Sequence, residues 1–256
     1  MMKRIVKRTF YALILSSLLL ITVGTVMAAE PGYERFSRPT QVIPTIDGKW
    51  TSDDEWTDSE FTWMGTDVAF TSTWDMQGSE VYTRWIVEFL TDTTDDSEDF
   101  LRMYLDGDQS GGNQPMGCTY EEISGHTTHT IWLGAGGLWS LYVADLTQFD
   151  WANSLSTSPT EPTPHWIYEF QIIKNTGDLQ LNEVWNFLLQ VYDASNPGFH
   201  AWPPTDPDIP DQWGIENYTT EPIPEGLTFA VMALLTTISM LVGYKYLIKR
   251  KETKTQ

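Results

Sequence analysis

Between the apolar segments near its two ends, the chain places apolar side chains at every second position. Along residues 80–90 one face would carry Val81, Thr83, Trp85, Val87 and Phe89. Similar alternation occurs at residues 100–105, 166–172 and 185–192, and no stretch within residues 30–222 keeps a helical period of 3.6. Because successive side chains of a strand point to opposite faces, this pattern predicts an all-β domain.

Turn sequences separate these alternating segments at short intervals. Examples are Asp47-Gly48, Asp106-Gly107-Asp108 and Asn196-Pro197-Gly198. Residues 131–133 and 138–143 flank a glycine-rich turn and predict a hairpin, whereas the Ser/Thr/Pro-rich residues 154–164 predict a surface loop. Many short strands joined by turns favour an antiparallel β-sandwich of jelly-roll type, which we place at residues 40–220.

The N-terminal residues resemble a targeting segment rather than part of the fold. Lys3, Arg4, Lys7 and Arg8 precede an apolar run, and Ala28-Ala29 supplies the small residues that signal peptidase prefers. We therefore expect a signal peptide over residues 1–28 and a short lead over 29–39. A retained membrane anchor is the alternative.

The C-terminal apolar run is long enough to cross a bilayer. Residues 227–248 form this predicted transmembrane helix, after a linker at 221–226, and the basic tail at 249–256 is expected in the cytoplasm. We thus expect a single-pass protein of the cell membrane with its N-terminal domain outside the cell. Pro224-Glu225-Gly226 also resembles prokaryotic sorting tails, in which such a helix is removed and the protein re-anchored.

The formal net charge is -20, and the acidic residues lie almost entirely between the two basic ends. Nucleic-acid binding needs a basic surface, so this middle region excludes a nucleic-acid partner. Cys118 is the single cysteine, so no disulfide can form within the chain. An exported domain of this kind depends on its hydrophobic core for stability.

Several short motifs, in order along the chain, resemble one family. Ile46-Asp47-Gly48 followed by Glu55-Trp56 resembles the opening of family-9 carbohydrate-binding modules and their DOMON-like relatives. The strand at 100–106, the strand at 166–172 and the closing motifs Trp202-Pro203 and Trp213-Gly214 resemble later parts of these modules. The resemblance covers roughly residues 40–218 and implies a β-sandwich that binds sugar between exposed aromatic rings, often with structural Ca²⁺.

Sugar binding has a simple physical basis. A pyranose stacks an apolar C–H face on an aromatic ring, while carboxylates and amides pair with its hydroxyl groups. We expect Trp202 and Trp213 to be the stacking rings, followed by Trp74 and Tyr192. The alternative for Trp202 and Trp213 is that they fill the end of the sandwich. Four further tryptophans lie on apolar strand faces and are expected in the core: Trp56, Trp85, Trp166 and Trp185.

A Ca²⁺ site is expected at one acidic turn. Asp106, Asp108 and Ser110 place oxygen ligands at alternate positions, although Gly117 stands where an EF-hand would need glutamate. An ordinary acidic turn is the alternative. The acidic residues 92–99 are expected to form a solvated loop, with weak Ca²⁺ binding as the alternative, and His126 and His129 are expected at the surface.

The chain contains no recognisable catalytic motif, so we expect a non-catalytic binding protein. One alternative is a DOMON-like domain that binds haem b for redox chemistry, with ligands drawn from Met76, Met103, Met116, Lys174 and His200. Covalent c-type haem is excluded because Cys-x-x-Cys-His is absent. A second alternative is a cell-surface structural or adhesion scaffold.

Overall fold

The computed structural model describes residues 33–142, 148–175 and 180–218. These residues form thirteen strands: β1 (Glu34–Pro39), β2 (Thr62–Met64), β3 (Val68–Gln77), β4 (Glu80–Phe89), β5 (Phe100–Asp106), β6 (Thr119–Ser124), β7 (Thr128–Ala135), β8 (Leu138–Tyr142), β9 (Phe149–Ser156), β10 (His165–Ile173), β11 (Val184–Asp193), β12 (Gly198–Trp202) and β13 (Gly214–Tyr218). The all-β prediction is confirmed.

No helix in the described ranges is long and apolar enough to cross a membrane. The predicted signal peptide at 1–28 and the predicted transmembrane helix at 227–248 both lie outside those ranges.

The strands belong to one curled sheet, in the order β8-β7-β6-β5-β11-β13-β1-β3-β4-β10-β9, with β12 beside β11 and β2 beside β3. The prediction of an antiparallel arrangement is wrong at β1. This strand is parallel to β13 through residues 34–37 and parallel to β3 through residues 38–39. Parallel neighbours cannot be joined by a tight hairpin, and β1 is accordingly separated from both partners by long stretches of chain.

Strand β1 divides the sheet into two halves that share one core. The inner side chains of β3, β4 and β10 meet those of β5 and β11, and the Trp85 ring lies 5.0 Å from the Phe187 ring. Trp56, Trp85 and Trp185 are buried as predicted, whereas Trp166 is half-buried. Large aromatic side chains thus supply the burial that this disulfide-free domain needs.

Two local predictions can be compared with the strands. The glycine-rich hairpin is confirmed, since β7 and β8 pair and Gly136 and Gly137 adopt positive φ between them. The predicted start of the loop at residue 154 is too early. Strand β9 continues to Ser156, which pairs with His165 at the start of β10. Backbone pairing with β10 overrides the turn-forming composition of these residues.

The two outer faces of the curled sheet differ in what covers them. The long connection between β1 and β2 carries Trp50, Trp56 and Phe61 onto Ile86 and Ile167, so it covers the face of the β3–β4–β10 half. Gly48 in this connection has φ +77, and a Cβ there would lie 2.4 Å from the carbonyl carbon of Asn153. On the β5–β11 half, the outer side of the sheet carries a cluster of Tyr104, Tyr120, Leu188 and Trp213.

Candidate functional site

Trp202 and Trp213, the first candidates for sugar stacking, are buried. Trp202 is 8% exposed and stacks on Phe187 with ring centroids 4.8 Å apart. A Cβ at Gly214 would lie 2.3 Å from the Trp202 ring, so this glycine provides the space for the indole. Trp213 is 3% exposed and packs 5.7 Å from the Tyr104 ring. Trp202 lies in the shared core, whereas Trp213 lies in a separate cluster with Tyr104 and Tyr120 on the outer side of the sheet, and both rings pack against protein.

The other two candidates are half-buried and lie in different places. Trp74 is on β3, where its indole N–H donates a hydrogen bond of 3.2 Å to the carbonyl of Ser37. Tyr192 is near the end of β11 on its outer side, stacked at 5.4 Å against Phe100. The structure therefore does not bring the four predicted residues together: Tyr192 is half-buried on the outer side of the sheet, and Trp213 is buried against Tyr104 on that same side.

Tyr192 is part of a larger surface on the β5–β11 half. We call this surface the outer face and define it by Phe100, Arg102, Tyr104, Tyr120, Glu122, Trp132, Gln190, Tyr192 and Phe199. These side chains alternate with core residues along their strands, so strand register arranges them in rows across β12, β11, β5, β6 and β7.

The middle row of the outer face is polar. Gln190 pairs with Arg102 across β11 and β5, and Arg102 pairs with Glu122 across β5 and β6. The Arg102 guanidinium donates to the Glu122 carboxylate, and these side chains are 31% and 15% exposed. Burial lowers the pKa of Arg102, but the hydrogen bond to Glu122 and the electrostatic effects of Tyr104, Glu122 and Tyr120 together outweigh it, so the pKa is raised and the side chain stays charged. The pair is thus a preformed donor and acceptor beside solvent.

Aromatic rows flank the polar row on both sides. On one side Phe199, Tyr192 and Phe100 lie in register, and Phe199 is 57% exposed. The guanidinium carbon of Arg102 lies 4.2 Å from the centre of the Phe100 ring, which fixes the cation over that row.

The other aromatic row is formed by Tyr104, Tyr120 and Trp132. The Tyr120 and Trp132 rings stack with their centroids 5.6 Å apart. The Tyr104 hydroxyl donates a hydrogen bond of 3.1 Å to the amide oxygen of Gln190. Burial raises the pKa of Tyr120 to about 12, so its hydroxyl remains protonated at neutral pH. Trp139 packs against this row. Its indole N–H donates a hydrogen bond of 2.8 Å to the Asp208 carboxylate, and this bond holds the β12–β13 connection beside the row.

Tyr104, Tyr120 and Gln190 are buried, so the accessible part of this arrangement is the row of Phe199, Tyr192 and Phe100 beside the Arg102–Glu122 pair. Arg102, Glu122 and Gln190 were not predicted as site residues from the sequence. The alternation of Phe100, Arg102 and Tyr104 was visible as a signal, but the pairing of Arg102 with Glu122 depends on which strands are neighbours.

The turn predicted to hold Ca²⁺ satisfies its own carboxylates. The Asp106 oxygens accept backbone N–H bonds from Ser110 at 3.1 Å and Gly111 at 3.0 Å, and Asp108 accepts a further one from Ser110 at 3.2 Å. Both Asp106 oxygens therefore act as turn acceptors, which matches the alternative of an ordinary acidic turn.

The five residues considered as haem ligands lie on five different strands or connections. Met103 is buried in the core, whereas Met76 and Met116 are 63% and 50% exposed. The Lys174 ammonium group donates a hydrogen bond of 3.3 Å to the carbonyl of Asn182 and lies 3.8 Å from the centre of the Tyr218 ring. His200 lies 3.7 Å from Asp67. This distribution gives no support to the haem alternative.

No protein-family model matches the sequence, and no curated protein matches it. Among solved structures, the chain is similar to a family-9 carbohydrate-binding module from Caldicellulosiruptor kristjanssonii in complex with glucose, at 15% identity and a TM-score of 0.46, covering 74% of this chain and 98% of that chain. It is also similar to a protein from Bacteroides uniformis described as carbohydrate-binding, at 13% identity and a TM-score of 0.45, covering 73% and 100%. At these identities, neither similarity establishes what this chain binds.

Proposed function

We propose that this domain binds carbohydrate at the outer face and does not turn it over. The observation that carries the proposal is the polar row of Gln190, Arg102 and Glu122, set between two aromatic rows by strand register. A sugar ring could stack on the exposed rings while its hydroxyls exchange hydrogen bonds with the Arg102–Glu122 pair. The opening motif at residues 46–56, which resembles family-9 modules, favours the same ligand class.

The charge of the chain narrows the class of sugar. With a formal net charge of -20, the protein repels polyanions, so neutral glycans are better ligands than sulfated ones. The middle row contributes one carboxylate, Glu122, whereas glycoside hydrolysis needs two carboxyl groups on opposite sides of the bond. A non-catalytic binding role fits this composition.

Affinity electrophoresis through gels that contain soluble neutral polysaccharides tests the proposal. The wild-type protein should be retarded by at least one of them, and Tyr192→Ala and Phe199→Ala should migrate as in the sugar-free gel. Trp63→Ala is the matched control, because Trp63 is a 51% exposed aromatic on β2, outside the outer face. Retardation that survives both outer-face substitutions would place binding elsewhere. No retardation in any gel would leave the scaffold alternative.

We further propose that the two halves of the sheet form a sandwich and that the domain is held outside the cell by the segment at 227–248. The shared core and the apolar run support these two points respectively. A chain that ends at residue 226 should be released from the membrane fraction, whereas the full chain should need detergent. Release of the full chain in high salt would contradict the anchor.

A further inference from the structure

Four aspartates meet where the β4–β5 connection reaches the end of β11. We call Asp92, Asp96, Asp99 and Asp193 the Asp99 cluster. The prediction of a solvated acidic loop holds for most of this segment but is wrong for its two ends, because Asp92 is 1% exposed and Asp99 is fully buried. Asp193, the last residue of β11, is 7% exposed. The fold thus collects several carboxylates in a place with little access to water.

The spacing of three of these carboxylates fits a single cation. One oxygen from each of Asp96, Asp99 and Asp193 lies within 4.8 Å of the others, and Asp92 and His126 form an overlapping group with Asp99 at the same spacing. Oxygen ligands of Ca²⁺ stand about 2.3–2.6 Å from the ion, so two ligands on opposite sides are about 5 Å apart.

Two oxygens of the cluster are buried without any hydrogen-bond partner. They are Oδ2 of Asp92 and Oδ2 of Asp193. The other oxygen of each carboxylate has a partner. Asp92 Oδ1 accepts a hydrogen bond of 3.1 Å from the Thr94 N–H, and Asp193 Oδ1 accepts one of 2.8 Å from the Ser195 N–H. A buried carboxylate oxygen without a partner is costly, so these two atoms point to a missing positive group.

Asp92 and Asp193 also line one small cavity, together with Asn196 and His200. Its volume is about 10 Å³, which is about the space of one water molecule, and its lining includes Asp67 but neither Asp96 nor Asp99. Burial, with the nearby charges of Asp193 and Asp99, raises the pKa of Asp92 to about 7. Within the described ranges, no lysine or arginine forms an ion pair with the cluster.

Asp99 is held in place by several hydrogen bonds, one of them a bond of 3.2 Å from the Asp96 N–H to its Oδ2. The Asp99 Oδ2 atom lies 2.9 Å from Nε2 of His126, and the Asp99 Oδ1 atom accepts a hydrogen bond of 2.7 Å from the Ala194 N–H. The second ring nitrogen of His126 is bonded to the Tyr168 hydroxyl, and the Trp166 ring stacks on the imidazole at 3.7 Å. The expectation that His126 is a surface residue is therefore wrong. Both of its nitrogens are occupied, so it orients Asp99 as an outer-shell partner would.

We propose that the Asp99 cluster binds one Ca²⁺ ion through Asp96, Asp99 and Asp193, with the free oxygen of Asp92 facing the same ion. An all-oxygen set of carboxylates selects a hard divalent cation over zinc or copper. The ion would tie the β4–β5 connection to the end of β11, directly next to Phe100 and Tyr192. This site stands apart from the turn at Asp106 and does not depend on sugar binding.

Calorimetric titration of the full-length protein with CaCl2, after removal of metal with EDTA, tests the proposal. The wild type should bind one Ca²⁺ and show a higher melting temperature with the ion than without it. Asp92→Asn and Asp193→Asn should each lower Ca²⁺ affinity by at least about tenfold. Asp108→Asn is the matched control, since Asp108 is an exposed aspartate in the other acidic turn, and it should bind as the wild type does.

A second measurement separates lost binding from lost folding. Without metal, Asp92→Asn should melt no lower than the wild type, because it removes a buried charge that lacks a partner. A destabilised metal-free Asp92→Asn would show that the carboxylate is already satisfied and would overturn the proposal. Absence of Ca²⁺ binding in the wild type, unchanged affinity in both variants, or loss of binding in Asp108→Asn would overturn it equally.

Discussion

The carboxylate of Glu169 on β10 accepts a hydrogen bond of 3.0 Å from the indole N–H of Trp56 in the β1–β2 connection. The same carboxylate accepts backbone N–H bonds from Asp47 at 2.9 Å and Gly48 at 2.8 Å. Glu169 is fully buried. The opening motif Ile46-Asp47-Gly48 and the Trp56 that follows it are therefore fastened to the sheet by one side chain, which keeps one outer face covered.

Replacement of Glu169 by glutamine should destabilise the domain. The amide nitrogen would place a donor against either the indole N–H or the backbone N–H groups, leaving buried donors unsatisfied. We expect a loss of about 2–4 kcal/mol in the free energy of unfolding, measured by urea denaturation. Glu183→Gln, at an exposed position, should change it by less than about 0.5 kcal/mol. Equal stability of the two variants would show that the Glu169 contacts contribute little.

The stability of the domain should also depend on pH through Glu169. Burial, assisted by the nearby charge of Glu55, raises the pKa of Glu169 from 4.5 to about 7 despite its hydrogen bonds. Because the folded state holds this proton more tightly, the contribution is fully present below pH 4.5 and is lost as pH rises toward 7.

Urea denaturation between pH 4.5 and 7 measures this effect. The free energy of unfolding of the wild type should fall more steeply with rising pH than that of Glu169→Gln, which cannot titrate at this position. Parallel pH profiles for the two proteins would show that Glu169 has an ordinary pKa.

Trp202 should contribute to stability rather than to ligand contact. Trp202→Ala removes a buried indole from the core and should cost about 3–5 kcal/mol in the free energy of unfolding. Gly214→Ala should also destabilise, because the added Cβ would meet the Trp202 ring. Trp63→Ala, at an exposed indole, should be nearly neutral. A Trp202→Ala protein with wild-type stability but no glycan retention would instead support the stacking role predicted for this residue.

The sequence predicted the local structure better than the long-range contacts. Alternation placed Trp85 and Trp185 in the core, since a strand period of two is a local property. The surroundings of Trp202 and Trp213 are rich in proline and aspartate, which suggested exposure, yet both rings are buried against residues that are distant in sequence, Phe187 and Tyr104 respectively. Likewise, the acidic composition of residues 92–99 suggested a solvated loop. The grouping of Asp99 with Asp193 could not be predicted, because only the fold brings Asp193 against this segment. The pairing of Arg102 with Glu122 could not be predicted for the same reason.

The proposed function requires the claim that the Arg102–Glu122 pair of the outer face contacts carbohydrate. A double-mutant cycle tests this claim, with calorimetry giving the affinities of wild type, Arg102→Ala, Glu122→Ala and the double variant for a neutral glycan that retards the wild type. Each single substitution should weaken binding by at least about tenfold, and the double substitution should cost much less than the sum of the two single effects. Wild-type affinity in all three folded variants would contradict the claim.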